Sequence, residues 1–215
     1  MKNKNGFTMS EVLITLGVIG VVSAMTMPSV IKNYQKHKTV NQLKKAYTVL
    51  NQALKMSELD NDTVQNWSKI EEIGITDYTN KYWKPYLKVI KTCKSFKGCD
   101  YKDNTPWQNA NKTNIAITGG SDFCIFTNDG MLIFFRKYLD GNATVFVDLN
   151  GTQLPNKLGN DLFVFTVRDK GVVPAGNFNS TTSFCNKTAT GVDNGVYCSW
   201  RIIREGWKIP DDYPW

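Results

Sequence analysis

Five cysteines, one histidine and one carboxylate set inside an apolar run are the residues from which chemistry would have to be built. His37 is the only histidine, so Ser/His/Asp and Cys/His nucleophiles have no base to draw on. No two cysteines stand at Cys-x-x-Cys spacing, which argues against a zinc site. Cys93 and Cys99 are separated by five residues, and Cys185 and Cys198 by twelve. Outside the cytoplasm both pairs can close as small stapled loops, although five cysteines allow fifteen ways of making two bridges. Cys124, between Phe123 and Ile125, reads as a buried thiol in an apolar strand. No catalytic constellation emerges, and the expected protein is not an enzyme.

Two polar clusters stand out. Asp148, Asn150, Asn156 and Asp161 fall within fourteen residues and offer the hard oxygen ligands that calcium takes. The EF-hand spacing is not met, and an Asx-rich turn between two strands reads the same residues without a metal. Further upstream, Lys81, Lys84, Lys88, Lys91, Lys94, Lys97 and Lys102 alternate with Tyr82, Trp83, Tyr86, Phe96 and Tyr101. Cations beside stackable rings are what single-stranded nucleic acid binding uses. Several of the lysines also recur at helical spacing, and the favoured reading is a solvated lysine face with its aromatics turned to the core.

The strongest signal lies at the N-terminus. Residues 1–6 are short, polar and basic, and Phe7 to Met27 are almost wholly apolar or small. Those 21 residues span about 30 Å as a helix, the thickness of a bilayer core. The basic leader should stay cytoplasmic, so the remainder must cross. A charge within such a segment is functional by default, and Glu11 is such a charge. Gly17, Gly20, Ser23 and Ala24 give the helix a small-residue face suited to close packing.

Gly6-Phe7-Thr8-Met9-Ser10-Glu11, followed by Val12-Leu13-Ile14-Thr15-Leu16, resembles the class III signal of type IV pilins and type II secretion pseudopilins. The resemblance implies cleavage after Gly6 by a prepilin peptidase and N-methylation of Phe7. It implies that Glu11 pairs with the Phe7 ammonium of a neighbouring subunit, fixing register because an unpaired buried charge is costly. Pro28 falls where many such proteins kink the helix. The same family implies an inner-membrane assembly platform, copies of itself or sibling pilins as partners, and no cofactor beyond a calcium ion in the head loops of some members. A surface pilus, a secretion pseudopilus and a DNA-uptake pilus are the alternatives.

The elements behind these sites follow from pattern. Val40, Leu43, Tyr47, Leu50 and Leu54 recur at spacings of three and four, with Lys44, Lys45, Asn51, Gln52 and Lys55 off the stripe. The pattern predicts one helix from Phe7 to about Glu58, about 75–80 Å long, ending at Asp60-Asn61-Asp62. One or two short helices are expected over 77–91. Strands are expected at Ile115–Thr118, Phe123–Thr127, Met131–Tyr138, Ala143–Asp148 and Leu162–Arg168, with turns at Asn128-Asp129-Gly130 and Asp140-Gly141-Asn142. A last helix over Ser199–Glu205 would be closed by Gly206. The expected class is α+β: a long N-terminal helix, membrane-spanning in its first half, packed on an antiparallel sheet. Its parts are a leader (1–6), a transmembrane and polymerisation helix (7–28), and a stalk continuation with a globular head (29–215). Hydrophobic residues at 41% support such a core, and the formal charge of +7 permits an anionic partner without demanding one.

Overall fold

The computed structural model describes residues 6, 8–94, 99, 107–115, 123–137, 143–176, 184–191 and 193–215. The chain divides into two compact units, 1–38 and 39–215. The first helix, α1 (Met9–Asn61), begins in the first unit and continues into the second, with Pro28 inside it.

The first unit is the apolar part of α1. From Thr8 to Lys38 no residue is buried, and Leu13, Ile14, Leu16, Val18 and Ile19 are each more than half exposed. It is long and apolar enough to cross a bilayer. A helix that is apolar all round must find its cover outside its own chain.

The second unit is a helix packed on a sheet. Six strands run antiparallel in the order β1 (Val89–Cys93), β4 (Phe123–Thr127), β5 (Leu132–Lys137), β6 (Ala143–Asp148), β7 (Leu162–Arg168) and β8 (Gly171–Pro174). A two-stranded ribbon, β2 (Trp107–Gln108) with β3 (Asn114–Ile115), stands apart. Strand alternation sorts side chains to two faces. Ile133, Phe135, Val145, Val147, Phe163 and Phe165 join Val40, Leu43, Leu50 and Leu54 of α1 in one apolar cluster. Leu132, Phe134, Leu162 and Val164 point the other way, into a second cluster with Trp107 and Leu158. Full burial of a leucine such as Leu43, Leu50 or Leu54 contributes about 1.5–3 kcal/mol, so the stripe is core.

One expectation is corrected. The helix expected over 77–91 starts earlier and stops sooner: α2 spans Ile70–Tyr82, with Gly74 at φ +78° breaking its regularity. Pro85 then limits the chain to a 3₁₀ turn, Lys84–Tyr86, and the segment rich in β-branched residues that follows forms strand β1, with Val89, Lys91, Thr92 and Cys93 paired to β4 across an irregularity at Ile90. Asn51, off the apolar stripe, also has a partner beyond the helix. Its amide accepts from the Val172 backbone nitrogen (3.1 Å) and donates to the Val172 carbonyl (3.2 Å), so a helix side chain closes the edge of β8. Of the strand expected over Ile115–Thr118, Ile115 lies on β3, and 116–118 lie outside the described residues, as does the turn at Asp140-Gly141-Asn142.

Elsewhere pattern and structure agree. β4, β6 and β7 have the expected bounds, and α1 ends at Asn61. Helix α3 (Cys198–Arg204) closes in a Schellman motif: Gly206 N donates to the Ile203 carbonyl (3.1 Å) and Trp207 N to the Ile202 carbonyl (2.8 Å).

Candidate functional site: the start of the first helix

The first turn of α1 is a reciprocal cap. Thr8 precedes the helix, and its Oγ1 accepts from the Glu11 backbone nitrogen (3.2 Å). Glu11 Oε2 in turn accepts from the Thr8 backbone nitrogen (2.8 Å) and the Thr8 hydroxyl (2.9 Å). This is a capping box, which satisfies amide donors that a helix start leaves orphaned. The sequence reading missed Thr8, although Thr8-x-x-Glu11 ahead of an apolar run is the pattern that announces such a box. The glutamate therefore has a partner within its own chain. Its Oε1 makes no hydrogen bond among the described residues.

Gly6 is exposed at the head of this turn, and Phe7 lies outside the described residues. Among the described residues nothing lies within 4 Å of a Cβ built at Gly17 or Gly20, so none of them requires a glycine at either position. Small residues with no internal reason to be small leave room for another helix to approach.

The other predicted sites resolve in the head. Cys93–Cys99 and Cys185–Cys198 are disulfides, with Cα atoms 5.5 and 5.0 Å apart, and Cys124 is a buried thiol outside both. Asp148, Asn150, Asn156 and Asp161 do come together, at the loop between β6 and β7. Asp161 Oδ1 accepts from the Lys157 backbone nitrogen (2.7 Å). Its Oδ2 accepts from Asn156 N (2.9 Å) and from the Asn150 amide (3.2 Å). Burial pushes the Asp161 carboxyl up from its ordinary value, although these donors pull it down. Asp148 Oδ1 accepts from Asn150 N (3.2 Å). With the Asn156 amide nitrogen facing the Gln153 carbonyl (2.8 Å) and Asp148 Oδ2 (3.2 Å), those groups are satisfied too. The arrangement is a hydrogen-bonded clasp on the loop, with Asp161 already holding three N–H donors. Among the described residues no group of three or more His, Cys, Asp or Glu could hold a metal. Among the described residues Asn150 Oδ1 is buried without a hydrogen-bond partner.

The lysine–aromatic segment loses its helical face. Tyr78, Tyr82 and Trp83 are buried, with Trp67 stacked on Tyr82 at 4.3 Å, while Lys91 lies on β1. The aromatics serve the core, as expected for the bland reading; Lys97, Lys102, Phe96 and Tyr101 lie outside the described residues.

An apolar, uncovered helix opening on a capped glutamate, followed by a helix-on-sheet head, defines a class: type IV pilin-like and pseudopilin-like subunits. Residues 1–27 match the model of the prokaryotic N-terminal methylation motif. Residues 29–215 match a family of unknown function (DUF6613), and the chain belongs to that family. No curated protein and no solved structure matches it.

Proposed function

We propose that the protein is a non-enzymatic structural subunit of a type IV pilus-like filament. Prepilin peptidase cuts between Gly6 and Phe7 and methylates the new N-terminus. The precursor waits in the inner membrane with its head outside the cytoplasm, and an assembly platform adds it to copies of itself or sibling pilins. The observation that carries this reading is the run from Thr8 to Lys38, apolar over most of its length and without one buried residue. A bilayer covers it before assembly and neighbouring helices cover it afterwards. The two disulfides support a head outside the reducing cytoplasm.

Glu11 then acts at exchange between these environments. Its capping partners leave Oε1 for the Phe7 ammonium of an adjacent subunit, and methylation preserves that positive charge. The test is mass spectrometry of the mature chain together with filament imaging of a Glu11→Ala strain. We expect an N-terminus at methylated Phe7, normal membrane insertion, and few or no filaments in the variant. An intact Met1, a terminus after Ala24, or wild-type filaments in Glu11→Ala cells would refute the reading.

A further inference from the structure

The lysines of α1 fall into two sets. Between Glu11 and Glu58 the helix carries six lysines and no carboxylate. The three in the second unit have partners: Lys44 lies over the Trp207 ring (5.5 Å), Lys45 meets Asp129 (2.7 Å) and Lys55 meets Glu58 (2.7 Å). The three in the first unit, Lys32, Lys36 and Lys38, make no ion pair among the described residues. Lys32 and Lys36 also stand one turn apart, a like-charge spacing that destabilises a helix.

Their place along the helix identifies what offsets that cost. Lys32 directly follows Val30 and Ile31, the last residues of the exposed apolar run. At 1.5 Å per residue, Lys32, Lys36 and Lys38 lie about 2, 8 and 11 Å beyond Ile31. The polar headgroup layer on each side of a bilayer core is about 5–8 Å thick. Side chains of a helix lean toward its N-terminus, and lysine stems extend along apolar surface to place their ammonium groups at the interface. Both effects bring the three charges back to the headgroup layer. Tyr34, 68% exposed among them, is an aromatic of the kind that settles at that level.

We propose that Lys32, Lys36 and Lys38 form a basic collar that binds the phosphates of anionic phospholipids where α1 leaves the bilayer. The inference rests on the membrane-spanning reading of α1 given above, but not on cleavage at Gly6 or on filament assembly. Charge complementarity selects the partner: three cations with no carboxylate along the same stretch of helix favour phosphatidylglycerol over phosphatidylcholine, whose head group is neutral overall. The collar fixes how far the helix stands out of the bilayer before assembly.

The experiment is electron paramagnetic resonance of spin-labelled lipids around the full chain, reconstituted in phosphatidylcholine vesicles. Labelled phosphatidylglycerol is compared with labelled phosphatidylcholine, and flotation with the vesicles confirms insertion of each variant. One lysine near an anionic surface is worth about fivefold in association. Averaged over every lipid touching the helix, we expect about a twofold preference for phosphatidylglycerol in the wild type. K32Q/K36Q/K38Q should lose most of that preference, and K32R/K36R/K38R should keep it. Lys2 and Lys4 are common to all three chains, so the comparison isolates the collar. About 1 M NaCl, where the screening length is about 3 Å, should abolish the preference. Inorganic phosphate should do no more than chloride at matched ionic strength. Equal preference in the wild type and the glutamine variant, survival of the preference in 1 M NaCl, or selective competition by inorganic phosphate would overturn the proposal. A chain that is cut at Gly6 and built into filaments yet shows no lipid preference would overturn this inference alone, whereas an intact Met1 with the preference present would overturn only the filament reading.

Discussion

Gly159→Ala should destabilise the head well beyond the ordinary cost of losing a glycine. Gly159 sits at φ +81°, where an L side chain costs about 1–2 kcal/mol. A Cβ there would stand 2.6 Å from Cys198 Sγ and 3.1 Å from the Tyr213 hydroxyl oxygen. Neither neighbour can yield easily. Cys198 is tied to Cys185, and the buried Tyr213 donates its hydroxyl to the Gly159 carbonyl. Overpacking of this kind adds about 1–3 kcal/mol, for a total of about 2–5 kcal/mol. Gly206→Ala is the matched control: Gly206 has φ +68° but nothing within 4 Å of its Cβ position, so only the backbone cost of about 1–2 kcal/mol applies. At roughly 2–4 °C per kcal/mol for a domain of this size, Gly159→Ala should melt roughly 2–12 °C below Gly206→Ala. Thermal melts followed by circular dichroism on the oxidised full chain in micelles measure the difference. Equal melting temperatures for the two variants would show that the disulfide and Tyr213 do not crowd Gly159, and the packing argument would fall.

Asn194 is fully buried, with its amide nitrogen between three acceptors, the Asn186 and Ala189 carbonyls and Asn111 Oδ1, so Asn194→Ala should cost about 1–3 kcal/mol in denaturant melts. The Arg201 guanidinium beside Asp212 holds that carboxyl below its ordinary value of 3.8, so its contribution is fully present above about pH 4 and lost as pH falls through the lower folded value. Asp212→Asn should therefore cost about 1 kcal/mol at neutral pH, modest because the carboxylate is well exposed, and should flatten the acid limb of the stability curve. Chelation with EDTA or addition of calcium should leave the melting temperature unchanged, since Asp161 is occupied by N–H donors; a calcium-dependent rise would instead assign Asp148 and Asn150 as ligands.

What was legible in the chain divides by the distance over which each feature is decided. The N-terminal signal depends on its own twenty-seven residues and on a bilayer, so it can be read without any fold. The strands Phe123–Thr127, Ala143–Asp148 and Leu162–Arg168 carry alternation and β-branched or aromatic residues that no competing pattern disturbs. Val89–Cys93 failed because Lys88 and Lys91 continue the helical spacing of Lys81 and Lys84, while the deciding partner, β4, lies more than thirty residues downstream. The partner of Asn51 was out of reach for the same reason, since Val172 stands 121 positions away. The polar clasp around Asp161 shows the limit from the other side. Sequence gathered the right four residues, but which oxygens face donors is fixed by the backbone path from Asn156 to Asp161. The anchor's signal is thus written locally, whereas the fold of the head is written across strands.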